Sequence, residues 1–190
     1  IRYVNNIIDS SKLEIGYMDI KFENSNIVYL IEEVVLSIVD IAKDKNIEII
    51  FNTEEEEIIT AIDEEKIVRV ILILLSNSIK FSKEKGDICV EMRREDEEVV
   101  IKVTDNGIGI NEDMKEKIFD KFKRVQSVSN LNVDHEGSGL GLYIAKGFIE
   151  LHNGSISVVS EVEKGSTFII TIPIVIIKND LHNINHMDED

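Results

Sequence analysis

The sequence predicts an α+β sandwich: a mixed, mostly antiparallel sheet covered by helices on one face and preceded by one bundle helix. Three observations predict it. Runs of strand length with period-two alternation mostly follow one another across short turns. Longer segments between them carry apolar residues at three- and four-residue steps. The composition can fill one sizeable core, with 43% apolar and 31% charged residues, 10 glycines and a single proline in 190 residues.

Residues 1–18 place Ile1, Val4, Ile8 and Ile15 along one seam, with Ser11 at the remaining position, as in a bundle or coiled coil. One helix cannot bury such a seam alone. Residues 17–22 read as a short strand, and residues 27–45 as a second helix that Asn24, Ser25 or Asn26 can cap. The β-branched runs 47–51 and 58–62, split by Glu54-Glu55-Glu56-Glu57, read as a hairpin. From 63 to 81, Ile67, Val70, Ile71, Leu74 and Ser78 recur on one helical face behind Asp63 as N-cap. Strands over 87–94 and 99–104 follow. After Asp105 come a glycine loop, a short helix near 112–119, a polar stretch over 123–136 without sustained period, a helix over 138–152, and strands over 155–162 and 167–176. The last dozen residues are polar.

The charge balance narrows the function. With 21 basic and 37 acidic side chains the net charge is −16, which excludes nucleic-acid binding through bulk charge. The single cysteine, Cys89, can form neither an intrachain disulfide nor a cysteine zinc site, so a reducing, cytoplasmic setting is expected. No run reaches the ~20 apolar residues of a membrane span. The sequence opens at Ile1 without an initiator methionine and reads as a piece of a longer protein, and it leaves open whether that parent is anchored in a membrane.

Three clusters carry chemistry. Asn77 and Lys80 flank the apolar stripe of the helix over 63–81, on the side of Ile73. An amide oxygen is a hard neutral ligand suited to Mg²⁺, and a lysine one turn on offers a point charge to phosphate; two polar residues on a solvated flank would look the same. Asp105-Asn106-Gly107-Ile108-Gly109 ends an apolar strand. A carboxylate there accepts only, and so reads an exocyclic amine, although Asp-Asn-Gly is also an ordinary turn. Gly137-Ser138-Gly139-Leu140-Gly141-Leu142 opens a helix without a preceding strand, leaving backbone N–H groups beside the positive end of the dipole for an anion, although a plain hinge or close helix packing would use the same glycines. Phe119 and Phe122 at an i, i+3 step either root a lid or pack in the core. Lys80, Lys83, Lys85, Lys115, Lys117, Lys121, Lys123 and Arg124 lie close to these clusters in sequence, as an anion-attracting field or as a solvated face.

In this order the pieces resemble the ATP-binding catalytic domain of sensor histidine kinases, within the wider group of topoisomerase, chaperone and mismatch-repair ATPases. Residues 74–81 look like the N box, 105–109 the G1 box, 119–122 the F box, 137–142 the G2 box and 165–167 a degenerate G3 box. Residues 8–14 are similar to the second helix of the family's dimerisation and phosphoacceptor domain. The resemblance implies three parts: that partial helix over 1–19, a catalytic domain with the Bergerat-type ATP-binding fold over 20–178, and a polar tail over 179–190. It implies that Asn77 ligates Mg²⁺, that Lys80 contacts phosphate beside Phe81, and that Asp105 binds the adenine amino group in a pocket shaped by Gly107, Gly109 and Ile110. Gly137, Ser138, Gly139, Leu140, Gly141 and Leu142 would line the phosphates at the hinge of a lid over 123–138, with Phe122 at its root and Thr167 near the base. Implied partners are ATP, the phosphoacceptor helix of the parent kinase, a response-regulator receiver domain and a second copy of the parent, but no nucleic acid.

Three departures qualify the match. Ile73 stands where the family has a second asparagine, four residues before the metal-binding one, and neither ligates a cation nor orients a water. Glu163 stands where the G3 box begins with glycine. None of the four histidines, His135, His152, His182 and His186, lies on the first helix, and all four are read as ordinary polar or surface histidines. For a self-contained ATPase of the chaperone or topoisomerase kind the resemblance implies a glutamate base at position 73, where the aliphatic Ile73 takes no proton. A non-catalytic nucleotide-binding scaffold tolerates Ile73, but gives no reason to retain the glycines of 137–141 near a helix start.

Overall fold

The computed structural model describes residues 2–123 and 138–178. Its elements are α1 (Arg2–Glu14), β1 (Glu23–Asn26), α2 (Ile27–Lys43), β2 (Glu48–Thr53), β3 (Ile59–Ile62), α3 (Glu64–Phe81), β4 (Asp87–Glu95) and β5 (Glu98–Asp105), then two 3-10 turns (Glu112–Met114 and Lys117–Phe119), α4 (Gly141–Leu151), β6 (Ser155–Glu161) and β7 (Gly165–Pro173). The main sheet has the order β2-β4-β5-β7-β6; β2 pairs with β4 in parallel and every other pair is antiparallel. Period-two alternation turns Val99, Ile101 and Val103 of β5 and Phe168, Ile170 and Ile172 of β7 to one buried face. There they meet the apolar stripes of α2, α3 and α4 in a single core. Each fully buried isoleucine of that core, such as Ile31 or Ile71, contributes about 1.5–3 kcal/mol of transfer free energy. The α+β sandwich with helices on one face is therefore the observed architecture.

Capping follows the sequence closely. Asn26 caps α2 by accepting from the Val28 N–H, and Asp63 caps α3 by accepting from the Lys66 N–H. Three local expectations are corrected. The first helix stops at Glu14 because Gly16, at φ +69°, closes it: the Tyr17 N–H bonds to the Lys12 carbonyl and the Gly16 N–H to that of Leu13. Residues 17–22 form no strand; the Lys21 N–H donates to Asp63 Oδ2 at 2.9 Å, Phe22 meets the His152 ring edge-on, Met18 packs against the core, and the ladder begins at Glu23.

The runs around 47–51 and 58–62 do not form a hairpin. Instead β3 pairs with β1, and β2 lies parallel to β4, with α3 in the crossover between them. Alternation marks a strand but carries no information on its partner, and parallel neighbours require a long connection of this kind.

The helix α1 docks through a face other than its apolar seam. Arg69 pairs with Asp9 and donates to Asn6 Oδ1, Lys121 Nζ lies 2.6 Å from Glu14 Oε2, and Leu13 packs onto Gly147. The seam residues Val4, Ile8 and Ile15 stay exposed.

Candidate functional site

The inward face of the sheet is apolar until its last row. Above Val103, Phe168 and Val158 the register places Asp105, Ser166 and Ser160 side by side across β5, β7 and β6. All three are buried. Asp105 Oδ1 accepts from the Gly107 N–H at 2.9 Å and Oδ2 from the Ser78 hydroxyl at 3.2 Å, so the carboxylate is held from its own loop and from α3. Burial pushes its pKa up, against the hydrogen bonds from Gly107, Ser78 and the Ser166 backbone. A buried carboxylate with lone pairs to spare is an acceptor-only reader of an amine.

The loop after Asp105 is fastened on both sides. Ile108 N–H donates to the Phe81 carbonyl and its own carbonyl accepts from the Glu163 N–H at 2.8 Å; Gly107 bridges to Ser82, and the Ile110 N–H reaches Ser160 Oγ at 2.9 Å. Gly109 sits at φ +70° with its Cα so close to β6 that a Cβ would lie 2.1 Å from the Glu161 carbonyl oxygen, so only glycine passes here. Glu163 adopts φ +64°, and its carbonyl is held by Lys83 Nζ at 2.9 Å, which fixes the turn that the sequence had left open for want of a glycine.

On α3, the positions 73, 77 and 80 share a flank. Asn77 is half-buried within α3, and its side-chain amide has no hydrogen-bond partner among the described residues. Lys80 Nζ lies 5.0 Å from the Phe81 ring centroid. Ile73 is 9% exposed and faces the first residue of α4: a Cβ on Gly141 would stand 3.3 Å from its Cγ2. The amide, the lysine and the carboxylate loop thus share one wall, with the start of α4 a turn below Asn77.

The start of α4 forms the opposite rim. The helix begins at Gly141 rather than Ser138, without a side-chain cap, and its first internal bond runs from the Ile144 N–H to the Leu140 carbonyl. Uncapped N–H groups at the positive end of a helix dipole suit an anion. Leu140 is buried, its N–H held by Ser138 Oγ at 3.2 Å, while Leu142 is half-buried. Gly139, at φ +69°, is pressed on the backbone of Phe122, whose N–H donates to its carbonyl at 3.0 Å. The aromatic pair divides: Phe119 is buried edge-on against Phe168, whereas Phe122 is 68% exposed beside Gly139. Gly137, His135, Arg124 and most of the lid expected over 123–138 lie outside the described residues, as do His182, His186 and the tail over 179–190.

Two expectations are corrected here. Thr167 does not turn toward Asp105: its hydroxyl lies 3.1 Å from that of Thr104 on the uncovered face of the sheet, and Ser166 takes the inward place. The alternation of Phe168, Ile170 and Ile172 carried that answer in the sequence. His152 is no surface residue. It is 3% exposed, its Nε2 accepting from the Asp63 N–H at 3.0 Å and its Nδ1 lying 2.6 Å from the Phe148 carbonyl. Three of the neighbouring lysines are engaged by carboxylates. Lys83 pairs with Glu163, Lys115 with Glu112 and Lys121 with Glu14.

The donor set fits a nucleotide triphosphate. It offers a buried acceptor for an amine, glycines that let the loop pack directly on neighbouring backbone, an uncapped helix start, and a side-chain amide without a partner among the described residues. Among the described residues no group of three or more His, Cys, Asp or Glu is placed to hold a metal ion.

Residues 62–176 match the family model described as Histidine kinase-, DNA gyrase B-, and HSP90-like ATPase. Histidine kinase P4 of Formosa agariphila is 32% identical over 178 residues, 92% of this chain and 13% of that protein. Sensor histidine kinase WalK of Bacillus subtilis is 33% identical over 175 residues, 91% of this chain and 28% of that protein. The chain thus spans less than a third of the length of each of these curated relatives. A solved structure of the catalytic domain of histidine kinase ThkA superposes with a TM-score of 0.71 at 31% identity, covering 82% of this chain and 97% of that one.

Proposed function

The chain belongs to the histidine kinase-, DNA gyrase B- and HSP90-like ATPase family as an ATP-binding catalytic domain of the histidine-kinase kind, and from that premise we propose that it presents the γ-phosphate of Mg·ATP to a histidine on a helix outside this sequence. The observation that carries the reading is the closed frame of Asp105, its double-fastened loop and the uncapped start of α4 around the flank of Asn77 and Lys80. In it Asp105 accepts from the adenine amino group, and Gly107, Gly109 and Ile110 shape the base pocket. The first N–H groups of α4 and the Lys80 ammonium hold phosphate oxygens. Asn77 would ligate Mg²⁺, which when bound neutralises charge developing on the phosphates.

Phosphoryl transfer of this kind depends on positioning more than on covalent chemistry by the protein. The nucleophile then comes from the phosphoacceptor helix. Residues 1–19 are the end of the helical domain that carries it, a homodimer in the parent. Residues 20–178 are the catalytic domain, and the phosphoryl group passes on to a receiver domain in the cytoplasm. No helix among the described residues is long and apolar enough to cross a membrane. The test is titration with Mg·ATP, then addition of a separately made acceptor helix pair. Binding, followed by label from γ-³²P-ATP on the added helix, supports the reading; label on a histidine of this chain contradicts it.

Ile73 favours the scaffold as the second reading, and a single variant separates the two. Ile73→Asn places an amide one turn before Asn77 at a site already packed on Gly141. We expect Mg²⁺-dependent ATP affinity to rise about 10-fold while stability falls by about 1–2 kcal/mol. Unchanged affinity with transfer still absent would favour the scaffold.

A further inference from the structure

We infer that Ser160 is a positioning residue for the nucleotide base, an inference that rests on the nucleotide reading above. Its hydroxyl sits in the polar row at the end of the sheet, two strands away from Asp105. It accepts from the Ile110 N–H at 2.9 Å, donates to the Gly165 carbonyl at 2.7 Å and lies 2.9 Å from Ser166 Oγ. A serine hydroxyl has one proton and two lone pairs. The Gly165 carbonyl can only accept and the Ile110 N–H can only donate, so the proton of Ser160 is committed and its second lone pair takes the proton of Ser166. The Ser166 oxygen is then left as an acceptor beside Asp105.

One side chain therefore does two things. It sets the gap between the glycine loop and the turn joining β6 to β7, because Ile110 and Gly165 are both drawn to the same oxygen. It also fixes the polarity of the wall next to the carboxylate, so that the base edge meets acceptors only. The fastenings at Phe81 and Glu163 run through backbone and are open to any residue, while Asp105 and Asn106 hold the loop's first half by accepting from the Gly107 and Asp87 N–H groups. Ser160 is the side chain that fastens the loop's far end, at Ile110, and its place on the inward face of β6 after Ile156 and Val158 has no packing reason to be hydroxylated. Removing the hydroxyl leaves the Ile110 N–H and the Gly165 carbonyl without this partner and frees Ser166 to turn its proton toward the base.

The test compares Mg·ATP with inorganic tripolyphosphate, which lacks the base, in competition titrations on the whole chain. Ser160→Ala is expected to weaken Mg·ATP about 10-fold and leave tripolyphosphate unchanged. Ser160→Thr, which keeps the hydroxyl, restores the affinity. Ser160→Cys keeps the volume with weaker hydrogen bonds and falls between, so the ordering stands even if the alanine variant folds poorly. Equal weakening of both ligands would reduce Ser160 to a merely structural residue, and wild-type ATP affinity in the alanine variant would overturn the inference while leaving the nucleotide reading intact. If the unmodified chain binds neither ligand, that reading fails and the inference with it.

Discussion

Replacing Asp105 by asparagine is expected to weaken Mg·ATP about 10–100-fold while the fold survives. The two halves of this result have separate causes. The asparagine amide oxygen keeps the bond to the Gly107 N–H, and its NH₂ faces the Ser78 hydroxyl, which can turn from donor to acceptor. The local structure therefore loses little. The ligand loses more, since a charged acceptor becomes a donor opposite an exocyclic amine, and hydrogen bonds to charged groups contribute about 1.5–3 kcal/mol. Calorimetry on a variant whose melting temperature stays within a few degrees of the parent measures the effect. Unchanged affinity would remove Asp105 from the base pocket.

The same residue predicts a pH dependence. Burial holds the Asp105 pKa above the ordinary aspartate range, so on acidification it gains its proton earlier than a surface aspartate does. A protonated carboxyl donates toward the amine, and affinity should therefore begin to fall at a higher pH than an exposed aspartate would impose. The Asp105→Asn variant should lack that fall. For stability the sign reverses. The folded chain binds this proton more readily than the unfolded chain, so the term favours folding below the window and is lost as pH rises through it.

Much of this site is legible in the sequence because glycine and capping residues act locally. Gly109 and Gly139 mark places where backbone approaches backbone, and Asp63 announces the start of α3, within a few residues of chain. What depends on strand partners is not local. The parallel pairing of β2 with β4 follows from where α3 packs, and no property of residues 47–62 encodes it. Ser160 reads as one polar residue in an alternating strand until the register sets it beside Ser166. Thr167 shows the opposite case, where motif position prevailed over an alternation that already pointed to Ser166. His152 was hidden because a histidine after an apolar helix looks like a solvated end, and only the approach of residues 21–22 and 63 encloses it.

Removing that histidine should produce the largest loss of stability. Its Nε2 accepts from the Asp63 N–H, so the ring is neutral with its proton on Nδ1, donated to the Phe148 carbonyl. Phe22 meets the ring edge-on at 5.4 Å between centroids, and Asp63 itself holds Lys66 Nζ at 2.6 Å and the Lys21 N–H. One imidazole therefore joins the end of α4, the start of α3 and the segment leading from α1. His152→Ala leaves an N–H and a carbonyl buried without these partners and opens a cavity, which together should cost about 3 kcal/mol and lower the melting temperature by about 6–12 °C. Burial pushes the His152 pKa down, against the pull of the Phe148 carbonyl and the Asp63 charge and with the help of Lys66. The unfolded chain thus binds a proton that the folded chain resists. Stability from this group is complete above the ordinary histidine range and declines as pH falls from there toward the depressed folded value. His152→Gln cannot titrate, so its chemical-denaturation midpoint should lack this decline. A decline of the same size in the glutamine variant would assign the acid sensitivity to another group, and an unchanged melting temperature in the alanine variant would show that this junction does not hold the helices together.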